Sequence, residues 1–471
     1  MIAGLKAYKG YKDSGQDWLG TIPEHWELLR AKHLFREIDE RSKTGKEELL
    51  SVSHLTGVTP RRLKTVTMFM AESNVGHKVC RPGDLVINTL WAWMAALGVT
   101  SHTGIVSPAY GVYRPIEGGG MLPTYADHLL RTPLYAAEYQ RRSTGVNSSR
   151  LRLYPEQFLR VPVLVPPPDE QLLIVRFLDW ASGRLDRTIR AKRRVIALLT
   201  EQKRAVIQRA IMHGLDPTAP LKQTDIPWLG EIPQHWELWR ISRFARVGNG
   251  STPSRGKPAD WNGGTYPWLN SAQVNRQFID SADQFITRAA LRECHLPQVP
   301  AGSLLVAITG QGKTRGMSAI LGIEATINQH IAYITPRVPI ATAEYIHLAL
   351  TAAYRELRAA SEDAGSTKGA ITCEDLKRFK IPIPPPSEQE RLVRHIQSVT
   401  GDLTTAISLL EREIELITEY RTRLATDVAT GKLDVRSAAL RLPEKVAVDV
   451  ADEAVDETND AELTDEEAIE S

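Results

Sequence analysis

Two long stretches of the chain place apolar residues at a seven-residue period. The stripe runs through residues 387–434 and, 218 positions earlier, through residues 169–216, where Lys192 and Lys203 interrupt it. A heptad stripe sustained over this length predicts two helices that pair as a coiled coil. The predicted seam consists of Leu178, Leu185, Ile189, Ile196, Leu199, Ile396, Leu403, Ile407, Leu410, Ile414, Ile417 and Leu424.

The length of these stretches also bears on how they pack. Each has about 45 residues without proline, or about 68 Å of helix at about 1.5 Å per residue. The alternative is that each helix packs only on its own domain. A helix of this length extends beyond a domain about 30 Å across, so we expect the two helices to pair with each other.

Local signals mark where both helices begin and end. A proline run precedes each, and Asp169 and Ser387 then have the side chains expected of N-cap residues. Ser387 is followed three residues later by Glu390, which predicts a capping box. Gly214 and Gly431 are the expected stop signals.

The chain contains one large internal repeat. The ten residues from Trp18 to Glu27 recur from Trp228 to Glu237 with eight identities. The run from Pro166 into the first helix aligns without a gap with the run from Pro384. A period near half the chain length indicates duplication of one large unit, which excludes a solenoid of short repeats.

The segments before the two helices differ in sequence from each other. Both contain short β-like runs separated by Gly and Pro, so both are predicted to be mixed α/β domains. The predicted fold class is therefore α+β, with two globular heads joined by two long helices. The predicted divisions are 1–168, 169–216, 217–386, 387–434 and 435–471.

Charge is unevenly distributed along the chain. Residues 443–471 contain 12 acidic side chains and one Lys, so we predict that an acidic, disordered tail covers 435–471. The rest carries 57 Lys and Arg against 44 Asp and Glu, a net +13 although the whole chain is only +2. Such a basic body is typical of proteins that bind a polyanion.

Other features of the composition bear on location. Three widely spaced cysteines without a CxxC pair argue against a disulfide framework and suit a reducing cytoplasm. Neither a signal peptide nor a membrane span is expected, because the chain has no apolar run of sufficient length. We therefore expect a cytoplasmic protein.

Two motifs resemble catalytic sites and are rejected. Residues 307–314 match a relaxed phosphate-binding loop, but a true one opens a helix, and the residues after Arg315 do not look helical. Asp169 and Glu201 have the spacing of a nuclease metal motif, yet 32 residues along one helix separate them by about 48 Å. No metal-ligand cluster is visible, and His25 and His235, which lie in the repeat, are interpreted as structural.

In its repeated motifs the chain resembles the specificity subunits of type I restriction-modification systems. These motifs are Trp-Leu-Gly-x-Ile-Pro-x-His-Trp at Trp18 and Trp228, and Pro-Pro-Pro-x-Glu-Gln at Pro166 and Pro384. The matching segments within the heads and after the second helix are Gly104–Tyr110, Gly250–Ser254, Tyr266–Ala272 and Gly431–Val435. Their order and duplication make the resemblance specific, and it covers nearly the whole chain.

The resemblance implies a non-catalytic, DNA-reading subunit. Each head would be a target-recognition domain for one half of a split site in double-stranded DNA. The two helices, antiparallel in this family, would set the spacing and dock two methyltransferase subunits, and restriction/translocase subunits would join them. The complex would be an adenine-specific methyltransferase and ATP-dependent endonuclease. S-adenosylmethionine, ATP and Mg are expected on the partners, and no cofactor is expected on this chain.

Candidate DNA contacts are the places where polar, basic and aromatic residues occur together. Arg or Lys can pair with guanine, and Asn or Gln with adenine, in the major groove. The candidates are Asn88, Trp91, Ser148, Ser149, Arg150, Lys313, Arg315, Ser366, Thr367 and Lys368. The competing hypotheses are an enzyme acting alone, either an ATPase or a nuclease, and a coiled-coil adaptor that binds only proteins.

Overall fold

The computed structural model describes residues 5–63, 73–145, 151–310, 313–337, 340–362 and 369–443. The chain divides into two compact units. The first unit is Met1–Lys192 with Arg412–Ser471, and the second unit is Arg193–Glu411. Each unit therefore contains one head together with a part of each long helix, so the compact units cut both predicted helix ranges.

The first unit is built around a four-stranded antiparallel sheet in the order β4-β11-β8-β9. Two short helices and the start of the long helix α4 cover its core. Its strands are β1 (Tyr11–Asp13), β2 (Thr21–Pro23), β3 (Glu27–Arg30), β4 (Phe35–Glu37), β5 (Leu50–Ser53), β6 (Gly57–Pro60), β7 (Lys78–Cys80), β8 (Leu85–Ile87), β9 (Leu97–Val99), β10 (Gly104–Val106), β11 (Gly111–Pro115) and β12 (Pro162–Val165). Its helices are α1 (Pro123–Leu130), α2 (Pro133–Arg142), α3 (Pro155–Phe158) and α4 (Pro168–His213), which continues into the second unit.

The second unit has a five-stranded sheet in the order β16-β23-β20-β21-β18 and a three-stranded sheet in the order β19-β17-β22. Its strands are β13 (Leu221–Gln223), β14 (Glu231–Pro233), β15 (Glu237–Arg240), β16 (Ala245–Asn249), β17 (Tyr266–Leu269), β18 (Phe278–Ile279), β19 (Gln284–Ile286), β20 (Leu304–Ala307), β21 (Ser318–Leu321), β22 (Thr326–Ile327), β23 (Ile331–Pro336) and β24 (Lys380–Ile383). Its helices are α5 (Ile241–Phe244), α6 (Pro258–Trp261), α7 (Arg288–Glu293), α8 (Ala343–Ala352), α9 (Tyr354–Glu362), α10 (Cys373–Arg378) and α11 (Pro386–Ala429), whose second half lies in the first unit.

The internal repeat is present in the strand pairing. Tyr11 pairs with Pro23 in the first unit, and Leu221 pairs with Pro233 in the second, both at the offset of 210. Strands β3 and β12 form one antiparallel pair, and β15 and β24 form the equivalent pair. These equivalent strand pairs confirm the duplicated frame, and the mixture of helices and strands in both units confirms the α+β fold class.

The predicted antiparallel pairing of α4 and α11 is present within each unit. In the first unit Leu178 of α4 and Leu424 of α11 are buried in the same hydrophobic core. In the second unit Ile207 of α4 and Ile396 of α11 are likewise buried in one core. Leu178, Ile189, Ile396 and Leu424 are buried, and the other predicted seam residues, namely Leu185, Ile196, Leu199, Leu403, Ile407, Leu410, Ile414 and Ile417, are half-buried.

The two lysines that interrupt the first stripe contact the partner helix. Lys192 forms an ion pair with Glu413, and the Lys203 ammonium donates to the Thr404 hydroxyl at 2.8 Å. Burial lowers the pKa of the Lys203 ammonium. A long side chain keeps its charge at the edge of an apolar seam while its methylenes pack in it, so both lysines are compatible with pairing.

Placing a carboxylate in this seam is expected to unfold the second unit. Ile396 is 1% exposed, and Ile396→Asp buries an unpaired charge, with an expected loss of about 4 kcal/mol or more. The control is Val399→Asp, three residues later on the same helix, where the side chain is 45% exposed and the expected loss is about 0.5 kcal/mol or less. Urea unfolding measures the loss of stability in both variants. Equal midpoints for Ile396→Asp and Val399→Asp would contradict the pairing.

The ends of the long helices differ slightly from the prediction. Both begin one residue early, at Pro168 and Pro386, so Asp169 and Ser387 lie inside the first turn and are not N-caps. Proline suits the first helical position because its φ is already helical and it has no N–H that needs a partner. The predicted ranges 169–216 and 387–434 also extend past the last helical residues, His213 and Ala429, whereas Gly214 and Gly431 adopt the expected positive φ.

The prediction that the acidic tail begins at 435 is wrong. Val435 and Ala439 are fully buried in the core of the first unit, and a short helix, α12 (Arg436–Leu440), lies between β-bridged Asp434 and Leu442. Arg176 of α4 donates to the Leu442 carbonyl at 2.6 Å. Residues 435–443 therefore complete the first unit because their apolar side chains are needed in its core, and residues 444–471 lie outside the described residues.

Across the described residues, no helix combines the length and the apolar character needed to cross a bilayer.

Candidate nucleic-acid interface

The repeated motifs meet at the start of each long helix. In the first unit the Glu170 carboxylate accepts hydrogen bonds from Trp26 Nε1 at 3.1 Å and from the Tyr8 hydroxyl at 2.6 Å, and His25 Nε2 lies 2.7 Å from it. Burial and the neighbouring Glu170 raise the pKa of the Tyr8 hydroxyl, which therefore remains a donor. In the second unit His235 Nε2 lies 2.8 Å from Glu388. Both repeat histidines thus have the structural contacts expected of them.

The glutamine that follows each glutamate attaches the head to the helix. Gln171 donates to the Pro166 and Gly120 carbonyls and accepts from the Leu122 N–H. Gln389 makes the same three contacts, to Pro384, Ile340 and Thr342. Both glutamines are fully buried, so their lost hydration is replaced by these bonds. The Pro-Pro-Pro-x-Glu-Gln motif therefore fixes each head to its helix in the same way.

Each head gathers several loops at one edge of its main sheet. In the first head Ile87 pairs with both Gly111 and Leu97, so the loops 88–96 and 107–110 leave the same edge. In the second head Ala307 pairs with Ile331, so residues 308–310 and 328–330 leave the same edge. We call these the loop edge of the first head and the loop edge of the second head.

The last segment before the helix joins the loop edge in both heads. The Leu153 N–H donates to the Thr89 carbonyl at 2.9 Å, and the Ile371 N–H donates to the Ile308 carbonyl at 2.8 Å. Leu153 and Ile371 are equivalent at the offset of 218. The heads therefore share one loop arrangement although their sequences differ.

Six of the predicted DNA contacts adjoin these segments in the sequence. Ser148, Ser149, Arg150, Ser366, Thr367 and Lys368 lie outside the described residues, which resume at 151 and 369. Their role at DNA stays a prediction.

The predicted contacts of the first head lie in the loop 88–96. Asn88 is 8% exposed, and its amide donates to the Tyr110 hydroxyl at 3.1 Å and accepts from the Leu90 N–H. Trp91 is half-buried and lies parallel to Trp93, with ring centroids 6.4 Å apart. Asn88 thus holds two loops together, and both tryptophans of the pair are half-buried.

The two predicted DNA contacts of the second head differ in exposure. Lys313 is exposed, and its carbonyl accepts from the Tyr354 hydroxyl at 2.6 Å. Arg315 is 4% exposed, and its guanidinium donates to the Gly369 carbonyl at 2.7 Å. Burial of Arg315 speaks against the predicted phosphate contact, because its guanidinium supports the neighbouring loop. Lys313 remains a candidate.

The loop edge of the second head also carries a polar group that the sequence does not predict. Thr252, Thr309, Gln329 and His330 come from three loops and are joined by hydrogen bonds. Thr252 and Thr309 lie in segments already named for other reasons, Gly250–Ser254 and 307–314, whereas Gln329 and His330 lie in no recognisable motif. The available signal was their position directly after or before a strand, at β16, β20 and β23, but only the strand pairing brings the three positions together.

The rejected catalytic motifs are explained by their surroundings. The loop after β20 leads into strand β21 and not into a helix, so it lacks the helix N-terminus that binds phosphate. Asp169 and Glu201 lie on one continuous helix, as expected. Among the described residues, no group of three His, Cys, Asp or Glu side chains is positioned to hold a metal.

Comparisons with known proteins agree with this architecture. Residues 233–415 match the family model of the type I restriction modification DNA specificity domain. The EcoR124I/EcoR124II specificity subunit of Escherichia coli is 28% identical over 43% of this chain, which spans about half (47%) of that relative. The putative MjaX specificity subunit of Methanocaldococcus jannaschii is 23% identical over 93% of this chain and 100% of its own length.

A solved structure gives the same fold. It comes from work on complex assembly and conformational transition of the type I R-M system, and it superposes with a TM-score of 0.54 at 18% identity over 88% of this chain and 99% of that chain. At this identity the likeness concerns the fold alone. Together with the duplicated motifs, these matches show that the chain is similar to type I restriction-modification specificity subunits in sequence, and the solved structure shows that it is similar in fold.

Proposed function

We propose that this chain recognises a bipartite sequence in double-stranded DNA on behalf of a type I restriction-modification complex. Each head contacts one half-site through its loop edge. The observation that carries the proposal is that two dissimilar heads are fixed to one duplicated frame by the same His–Glu contact and by equivalent Gln contacts. A frame that repeats while its loops differ suits one mechanical task performed on two different DNA sequences.

The electrostatics support DNA as the partner. Without residues 443–471 the chain has a net charge of +13, and phosphate neutralisation by Lys and Arg supplies much of the affinity of DNA-binding proteins. Exposed Lys313 is suited to contact phosphate, which positions a protein without reading sequence. Sequence is then read by polar side chains of the loop edges, because only base edges carry that information.

The remaining partners belong to the same proposal. Two methyltransferase subunits dock on the paired helices, and restriction/translocase subunits complete the assembly. The complex methylates adenine and cleaves DNA with ATP, while this chain contributes no catalytic residue. S-adenosylmethionine, ATP and Mg bind to the partner subunits in this scheme, and the complex acts in the cytoplasm.

Mapping of methylated adenines tests the proposal. The chain is expressed with its methyltransferase partner in cells that lack other adenine methylation, and the genome is sequenced for methylated positions. We expect co-purification of the two proteins and one motif made of two specific half-sites with an unspecified gap. Methylation without a bipartite motif, or with the same motif when this chain is omitted, would contradict it.

A further inference from the structure

The loop edge of the second head carries a hydrogen-bonded chain of four side chains. The Thr252 hydroxyl donates to Gln329 Oε1 at 2.6 Å, Gln329 Nε2 lies 3.1 Å from His330 Nε2, and His330 Nδ1 lies 2.7 Å from the Thr309 hydroxyl. The four residues come from the loops after β16, before β23 and after β20. Gln329 is exposed, whereas the other three residues are half-buried.

The direction of each hydrogen bond follows from the chemistry of the groups. An amide nitrogen can only donate, so His330 Nε2 accepts from Gln329 and its ring proton lies on Nδ1. That proton is then donated to the Thr309 hydroxyl. Thr252 donating to Oε1 and His330 accepting from Nε2 together hold both polar atoms of the Gln329 amide in place.

This chain of side chains is not needed to close the loops. Backbone hydrogen bonds already join them, from Ser251 N–H to the Ile327 carbonyl and from Ile308 N–H to the His330 carbonyl, both at 3.0 Å. The side chains therefore fix an exposed amide on an edge whose backbone is independently held. Because Gln329 is exposed, the hydrogen-bonding positions that its amide does not use within the protein are accessible to a ligand.

We propose that Gln329 reads an adenine in the half-site recognised by the second head, with Thr252 and His330 as its positioning residues. Each amide atom uses one of its two hydrogen-bonding positions within the chain of four. Oε1 keeps one acceptor position and Nε2 keeps one N–H, and these complement the N6 donor and N7 acceptor that adenine presents in the major groove. The inference rests on the proposed function and adds the base that this residue reads.

The experiment compares methylation by complexes assembled with full-length variants. The substrates are duplexes with the natural motif or with single A·T pairs of the second half-site replaced. For Gln329→Ala we expect a loss of roughly ten- to a hundredfold in discrimination at one A·T pair, with the other half-site unchanged. Gln277→Ala, another exposed glutamine of the same head, is the matched control and should discriminate like the wild type.

The positioning residues are tested by a pair of substitutions. Thr252→Val removes the donor to Gln329 Oε1 and should relax the same A·T pair, while Thr252→Ser keeps the hydroxyl and should restore discrimination. A general loss of folding would instead lower methylation of all substrates equally and would not be rescued at one base pair only.

The outcomes separate this inference from the proposed function. A wild-type complex that methylates no bipartite motif would overturn both. A bipartite motif whose second half has no A·T pair besides the methylated one, or one that Gln329→Ala leaves fully discriminated, would overturn the assignment of Gln329 alone.

Discussion

Lengthening both long helices by four residues is expected to move the two half-sites apart by one or two base pairs while leaving their sequences unchanged. Four residues add about 6 Å and about one turn, so the apolar seam is nearly preserved. The rise of B-DNA is about 3.4 Å per base pair. If the helices set the spacing, the longer frame should select the longer gap.

The ion pair between Lys192 and Glu413 shows where to insert. One insertion is placed between Lys192 and Arg193 and the other between Arg412 and Glu413, so that both fall at the same level of the antiparallel pair. If the two insertions lay at different levels, the residues between the two levels would face partners displaced by one helical turn. Some loss of methylation is expected as well, because the added length also rotates one head about the DNA.

A two-residue insertion at the same places is the control. It turns the apolar stripe away from its partner, since two residues are about half a turn. We therefore expect the two-residue variant to lose stability and methylation, whereas the four-residue variant stays folded. An active four-residue variant that methylates sites with the original gap would show that another part of the complex sets the spacing.

Features with a long or repeated signal were predictable from the sequence. The heptad stripe, the proline runs and the duplicated motifs each extend over many residues, so errors at single positions do not change the conclusion. Accordingly the two helices, their pairing and the duplicated frame were predicted correctly. The helix starts were displaced by one residue because proline is accepted as the first helical residue, which places Pro168 and Pro386 inside the helices.

Features that depend on tertiary contacts were not predictable. The seam lysines were recognised as interruptions, but their contacts with Glu413 and Thr404 required the partner helix. Val435 and Ala439 precede an acidic segment, and only the packed core of the first unit explains why they are buried. The acidic composition of the following residues led to the prediction that Val435 and Ala439 belong to the tail.

The candidate DNA contacts show the same limit. Arg315 and Asn88 have side chains suited to bases or phosphate, yet both are buried and bonded within the protein. Gln329 carries no sequence signal, and it became a candidate because β20 and β23 pair and bring Thr309 and His330 together. The chemical type of a side chain makes many residues candidates for DNA contact. The strand pairing determines which of these candidates are exposed at the loop edge.

Exchange of the first head tests the central claim most directly. Residues 27–165 are replaced by the matching head of a relative, with the junctions after Trp26 and before Pro166, so that β3 and β12 are exchanged together and Glu170 and Gln171 keep the frame intact. Methylated adenines are then mapped across the genome. We expect one half-site to change completely, while the other half-site keeps its sequence and the gap keeps its length. A motif in which both halves change, or in which neither half changes, would contradict the claim that each head independently recognises one half-site.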